Sequence, residues 1–206
     1  RAWWDFGNGM MGDRGAHTLD SVFTVLGQRM PVSVDATSCA LSPDIHPLSA
    51  IITFKFAADG AKPPLTLTWY EGTRPPRPAE LPDDQKLPAE GGVIFNGSKA
   101  KLICGVYGDS PRIIPEASMH AFARPPQTLP RPKGGIEGDW LGAIVEGRKA
   151  CADFSYSARL TELTLLGNIA KRVDGRIAWD DAAMRVTNRD DANRFIKGSR
   201  REGWEL

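Results

Sequence analysis

Cysteine and histidine are scarce in this 206-residue sequence, with three of each. Cys39, Cys104 and Cys151 stand far apart, in no metal-ligand spacing, and an odd number does not make a disulfide framework. The simplest expectation is buried free thiols and no metal centre. Long apolar runs are missing as well: none approaches the roughly 20 residues that a membrane-spanning helix needs. Charge of one sign is not in excess, since 26 Lys and Arg face 25 Asp and Glu, for a net charge of +1. That balance gives no basis for electrostatic capture of nucleic acid or of an anionic membrane. Internal repeats and low-complexity tracts are absent. So is an initiator Met: Arg1 leads directly into a dense aromatic and glycine motif, and we expect further sequence upstream. A signal peptide would lie there, so the compartment, cytoplasmic or exported, stays open.

What is present suits a folded globular protein. Apolar residues make up 41% and charged residues 25%, enough of each for one sizeable core under a solvated surface. Met10 to Leu26 reads as a helix, with Met11, Leu19, Val22, Phe23 and Leu26 on one stripe and Gly27 as its stop. Val32 to Thr37 alternates, Ala50 to Ala57 alternates with Ile52, Phe54 and Phe56 on one face, and Leu65 to Tyr70 alternates again. Asp59-Gly60 marks a turn between the last two. These are expected to be antiparallel, half-buried strands.

Residues 71–90 form a long loop rich in proline and charge. Strands resume at Gly92 to Phe95 and Ala100 to Tyr107, joined by Asn96-Gly97-Ser98. A short strand at 112–114 precedes a helical turn over Pro115 to Phe122, and 123–135 is proline-rich connection. Helices are expected at Ile136 to Glu146, carrying Trp140, Leu141 and Ile144, with Trp140 most simply in the core, and at Tyr156 to Val173. A strand at Arg176 to Trp179, an extended piece at Met184 to Thr187 and a short helix at Asp190 to Ile196 close the chain. The layout is α+β, a mainly antiparallel sheet flanked by helices from the two ends, and we expect one domain over 1–206.

The chemistry concentrates in the opening stretch. Asp13 and His17 are four residues apart, so a helix puts both on one face. A carboxylate beside an imidazole of ordinary pKa near 6.5 is what proton transfer needs. The same spacing also describes a helix-start carboxylate near the dipole and an unrelated histidine. Asp20 continues that face. Gly7, Gly9 and Gly12 lead into it and allow backbone to approach something bulky. Trp3 and Trp4 either stack on a sugar ring or a nicotinamide, or pack this segment against the sheet. Asn8 either donates to substrate hydroxyls or holds a turn. Tyr70, Glu71 and Arg74, at a strand end, reach toward substrate or a neighbouring subunit, or are simply solvated. His46 and His120 have no partner pattern and read as structural.

The pattern Gly-x-Gly-x-x-x-Asp-x-Gly-x-His-x-x-Asp, from Gly7 to Asp20, resembles the catalytic helix of the Gfo/Idh/MocA oxidoreductases. Further pieces follow in order: Leu65-Thr66-Leu67-Thr68-Trp69-Tyr70-Glu71-Gly72, Pro75-Pro76, Phe95 to Leu102, Leu165-Leu166-Gly167-Asn168-Ile169-Ala170 and the closing Gly203-Trp204-Glu205-Leu206. Together they are similar to the C-terminal domain of the family's bacterial branch. The resemblance implies a large, open, mainly antiparallel or mixed sheet with helices on one face, and an oligomer interface on that sheet. It implies a Rossmann domain, outside this chain, that binds NAD or NADP and supplies a lysine from a Glu-Lys-Pro motif. This sequence has neither that motif nor a glycine fingerprint following a strand.

By the same resemblance, Asp13 and His17 are catalytic, with Trp4, Asn8 and Tyr70 in substrate contact. The reaction is hydride transfer between the nicotinamide and a secondary hydroxyl of a sugar, cyclitol or related polyol. The alternative is a non-catalytic carbohydrate-binding or assembly module on the same scaffold, which would not require the Asp13/His17 pair. A hydrolase using that pair has no accompanying nucleophile or metal cluster.

Overall fold

The apolar stripe of the first helix settles where the main core lies. In the computed structural model, which describes residues 1–197 and 201–204, α1 runs Gly9–Leu26 and buries Met11, Leu19, Val22, Phe23 and Leu26 together with Gly15 and Thr18. Gly27 ends it at φ +67°, and the N–H groups of Gly27 and Gln28 return to the Thr24 and Phe23 carbonyls at 3.1 Å. A left-handed glycine satisfies two carbonyls that the helix end would otherwise strand.

Three strands follow: β1 (Ser33–Cys39), β2 (Ser49–Phe56) and β3 (Leu65–Glu71). Their registers align Val34 with Phe54 and Ala36 with Ile52, then Phe54 with Leu67 and Ile52 with Trp69. Period-two alternation therefore gives one apolar face. Val34, Ala36, Ile52, Phe54 and Phe56 are buried, while Asp35, Thr37, Ile51 and Lys55 face out. The Asp59-Gly60 signal is realised as a tight turn, with Asp59 and Lys62 exchanging backbone hydrogen bonds of 3.0 and 2.9 Å.

The chain then builds β4 (Val93–Asn96), β5 (Lys101–Cys104), β6 (Arg112–Ile114), α2 (Glu116–Ala121) and α3 (Gly135–Glu146). After α4 (Phe154–Val173) it adds β7 (Ile177–Asp180), β8 (Arg185–Val186) and a 3-10 helix over Asp190–Phe195. The strands form a five-stranded sheet, β3-β2-β1-β7-β8, and a three-stranded one, β4-β5-β6, and every pairing is antiparallel. The fold is α+β.

The chain divides into two compact units, Arg1–Pro76 with Thr161–Leu206, and Arg77–Leu160, the boundary falling within α4. The first holds the five-stranded sheet with α1 and the C-terminal part of α4 on its apolar face. The second has its own small core of Leu81, Ile103 and Ile114, with Leu87 and Ile94 against it.

Several expectations shift for local reasons. β5 stops at Cys104 rather than Tyr107 because Gly105 to Asp109 folds into a turn, the Gly105 N–H donating to the Asp109 carbonyl at 2.9 Å. α4 starts two residues early because the Asp153 carboxylate accepts the Ser155 N–H at 2.8 Å, an N-terminal capping contact. Trp140, Leu141 and Ile144 are exposed, not packed; α3 buries Asp139 and Ala143 instead. Only Cys104 is a buried thiol, Cys39 and Cys151 being exposed. Trp204 is exposed; Glu205 and Leu206 of the closing motif lie outside the described residues.

Candidate functional site

The site is built where α1 starts, and α4 fixes α1 in place. A Cβ at Gly167 would lie 3.0 Å from the Phe54 ring and 3.3 Å from Met11, so glycine lets α4 meet β2 and α1 at one point. The next residue, Asn168, donates from Nδ2 to the Asn8 carbonyl at 2.8 Å. That carbonyl also takes the Gly12 N–H at 3.0 Å. The first turn of α1 is thus clamped by a side chain 160 residues away in sequence.

With α1 anchored through its buried stripe, the opposite face presents Asp13, His17 and Asp20 to solvent. Arg1 reaches over to this face, its Nη1 2.6 Å from Asp13 Oδ2. The guanidinium hydrogen bond, joined by the charges of Arg1, His17 and Arg14, holds the Asp13 carboxyl below the usual carboxylate range. Asp13 is therefore a carboxylate that accepts hydrogen bonds.

The segment that carries Arg1 is itself pinned. Trp3 bridges Ile45, the His46 N–H donates to the Ala2 carbonyl at 2.8 Å, and the Gly9 N–H donates to the Arg1 carbonyl at 3.1 Å. The bulky object that the glycines accommodate is part of the protein. Gly9 has φ +63°, and a Cβ there would run into the His46 ring. Buried His46 bonds the Gly7 carbonyl through Nε2 at 3.1 Å, so Nε2 carries the proton. Nδ1 is buried with no hydrogen-bond partner among the described residues. Burial, against the pull of the Gly7 carbonyl, lowers the His46 pKa to about 4, with the Lys171 and Arg172 charges adding to the effect.

Trp4 is half-buried in this cluster. Its ring stacks on His46 with centroids 3.4 Å apart, and the Arg172 guanidinium lies 4.3 Å from its centroid. Its indole N–H donates to the Ser42 carbonyl at 3.3 Å. Asn8 occupies the N-cap position of α1 without a side-chain capping bond and is exposed. Tyr70 is elsewhere. It pairs with Ile51 across β2 and β3, on the sheet face opposite the helices, whereas its neighbours Trp69 and Glu71 point to the helix side. The structure thus brings Asp13 and His17 onto one face of α1, with Asn8 at its N-cap, packs Trp4 against His46 and Arg172, and sets Tyr70 on the other face of the sheet.

Glu71 is not a solvated loop residue. It is buried and paired with Lys171, and the Trp69 indole N–H donates to its Oε2 at 3.2 Å. Arg1, Asn168, His46 and the Lys171–Glu71 pair were not singled out as site residues from sequence. Two signals pointed to the last: Lys171 falls on the buried side of α4, and Glu71 is in phase with Trp69.

All strand pairings are antiparallel, so the described residues contain no parallel β-α-β crossover of the kind that cradles a dinucleotide. They also contain no cluster of three or more His, Cys, Asp or Glu suited to a metal ion, and no helix long and apolar enough to cross a membrane. The second unit has a cleft of about 430 Å³ whose walls include Lys86, Glu90, Asp109 and Arg112, with charges of both signs. Burial pushes the Cys104 thiol at that cleft up, away from thiolate chemistry.

No family model matches the chain, and no curated protein does. Among solved structures it is similar to an oxidoreductase from Agrobacterium radiobacter in complex with NAD+, L-tartaric acid and magnesium, with 14% identity and a TM-score of 0.40. The match covers 81% of this chain and 48% of that one, so this chain spans about half the length of that protein. A likeness at that level fixes neither fold nor activity.

Proposed function

We propose that this chain is the substrate-facing part of an NAD(P)-dependent oxidoreductase acting on a secondary hydroxyl of a sugar, cyclitol or related polyol. The observation that supports this most is the exposed Asp13/His17 face on a helix whose opposite side is fully anchored. The sequence pattern over Gly7 to Asp20 supports it independently. The bound nicotinamide would accept the hydride from the carbinol carbon. An imidazole nitrogen of His17 takes the hydroxyl proton as that hydride leaves. Asp13, kept ionised by Arg1, accepts a hydrogen bond from the substrate or the imidazole and favours the imidazolium that forms. Asn8, exposed at the head of the same helix, is placed to hydrogen-bond a neighbouring hydroxyl. Trp4 serves by packing the turn behind them.

The dinucleotide is assigned to a Rossmann domain outside this chain, because the antiparallel sheets here offer it no cradle. Assembly with further copies through the sheet fits its uncovered outer face, where Ile51 is exposed beside half-buried Tyr70. The same face would serve the alternative, a non-catalytic assembly module, but that reading leaves Asp13 and His17 without a task.

The experiment is steady-state kinetics of the intact protein over a panel of polyols, with and without His17→Ala. The variant should lose about 10² to 10⁴ in kcat while its NADH affinity stays as before. Unchanged turnover across the pH range removes His17 from catalysis. Tight NADH binding by residues 1–206 alone would overturn the assignment of the cofactor to another domain.

A further inference from the structure

The cleft of about 430 Å³ in the second unit has no part in the hydride chemistry proposed for α1. Its floor is apolar, with Leu81, Ile103, Cys104 and Val106 all buried. Its walls are the segments 86–91 and 105–110. The chain leading into the first wall is pinned. Arg77 donates to the Leu81 and Pro82 carbonyls at 2.8 and 2.6 Å, Lys101 pairs with Glu80 at 2.6 Å, and Arg112 holds Gln85 at 2.6 Å and Glu116 at 3.2 Å. The second wall is closed by the Gly105 N–H on the Asp109 carbonyl.

Those contacts occupy Arg112 and leave three charges for a ligand to meet. Lys86 and Glu90, on the first wall, have no hydrogen-bond or ion-pair partner among the described residues. On the second wall the Asp109 carboxylate takes the Tyr107 N–H at a long 3.4 Å. A Cβ at Gly105 would collide with that carboxylate, so the absence of a side chain there seats it against the turn. Its charge reaches the floor, where it adds to burial in pushing the Cys104 thiol up.

We propose that this cleft binds a free α-amino acid with a large apolar side chain. Such a ligand brings a cation, an anion and an apolar body, and the cleft has a counterpart for each. Asp109 and Glu90 take the ammonium, Lys86 takes the carboxylate, and the side chain covers Leu81, Ile103 and Val106. The volume lies within the roughly 300 to 1,000 Å³ of small-molecule pockets and accommodates an aromatic side chain. A simple amine would leave Lys86 unanswered, and a simple acid would leave the two carboxylates so. Either omission is costly where bound ligand excludes water. A neutral polyol, the substrate class proposed for the α1 face, would answer none of the three charges.

The test is isothermal titration calorimetry of the intact protein with three probes. They are L-phenylalanine, phenethylamine, which lacks the carboxylate, and 3-phenylpropionate, which lacks the ammonium. L-phenylalanine should bind, and each analogue should bind about 10-fold more weakly or worse, having lost one charge-assisted contact. Lys86→Gln should weaken L-phenylalanine by about that factor and leave phenethylamine as it was. Asp109→Asn should weaken both amines about 10-fold and leave 3-phenylpropionate as it was. Both side chains are exposed, so neither change threatens the fold. Gly105→Ala, which displaces the Asp109 carboxylate without altering it, should act as Asp109→Asn does. No binding of L-phenylalanine up to about 10 mM overturns the proposal. So does an analogue that binds as well as L-phenylalanine, or binding that neither Lys86→Gln nor Asp109→Asn weakens.

Discussion

Lys171 Nζ, with no exposed side-chain surface, lies 3.1 and 3.2 Å from the two carboxylate oxygens of Glu71. The pair ties α4 to the edge strand β3, and the Trp69 indole N–H completes the carboxylate's bonding. Burial pulls the Lys171 pKa down, while the Glu71 charge and hydrogen bonds resist it. Two ions are expensive to bury, and removing one strands the other. Lys171→Met should therefore lower unfolding stability by about 3 to 5 kcal/mol, and Lys171→Met with Glu71→Leu should recover most of that loss. Urea denaturation of the wild type, Lys171→Met, Glu71→Leu and the double variant checks it; additive losses in the double variant would mean that the two side chains are not coupled.

His46 makes stability fall with acid. Its native pKa of about 4 lies below the 6.5 of an unfolded histidine, so the unfolded chain binds the proton first. Its contribution is complete above pH 6.5 and disappears as the pH drops toward 4, a swing of about 3 kcal/mol. A proton on Nδ1 would have no acceptor among the described residues and would meet the charges of Lys171 and Arg172. His46→Phe should flatten the stability curve between pH 6.5 and 4. A curve with the same slope in both proteins would assign the acid sensitivity to other groups.

Arg1 sets the ionisation of Asp13. In Arg1→Gln the Asp13 carboxyl should titrate at higher pH, toward the ordinary carboxylate range, and Arg1→Lys should restore part of the depression. Carbon-detected NMR titration of the Asp13 side chain reads this directly. An unmoved titration would show that Arg1 is not the controlling charge.

Asn168 should govern the order of the first turn of α1 rather than the whole fold. Asn168→Ala removes the hydrogen bond to the Asn8 carbonyl, at a cost of about 1 kcal/mol. Amide exchange of residues 9–12 should accelerate several-fold, while that of the β2 core stays as it was. Uniform acceleration would instead point to global destabilisation.

Much of this was legible beforehand because it depends on short-range periodicity. The stripe of α1, the alternation of β1 to β3, the Asp59-Gly60 turn and the Gly27 stop are each properties of neighbouring residues, and each stands where the sequence put it. Asp13 and His17 share a face for the same reason. α3 forms where the sequence places it, but Trp140 lies outside the core because the helix has two amphipathic solutions. Trp140, Leu141 and Ile144 make an apolar face, but Asp139 finds two strong partners nine and twelve residues on, and hydrogen bonds to a buried carboxylate decide which side turns in.

Local order thus determined the elements and the shared face of Asp13 and His17. Only the tertiary structure decided what surrounds them: Arg1 on Asp13, Asn168 on the head of α1, His46 in the space left by Gly9, and Lys171 against Glu71. These contacts join residues 12 to 160 positions apart, and their strength comes from burial and fixed geometry, which exist only once the chain has closed around them.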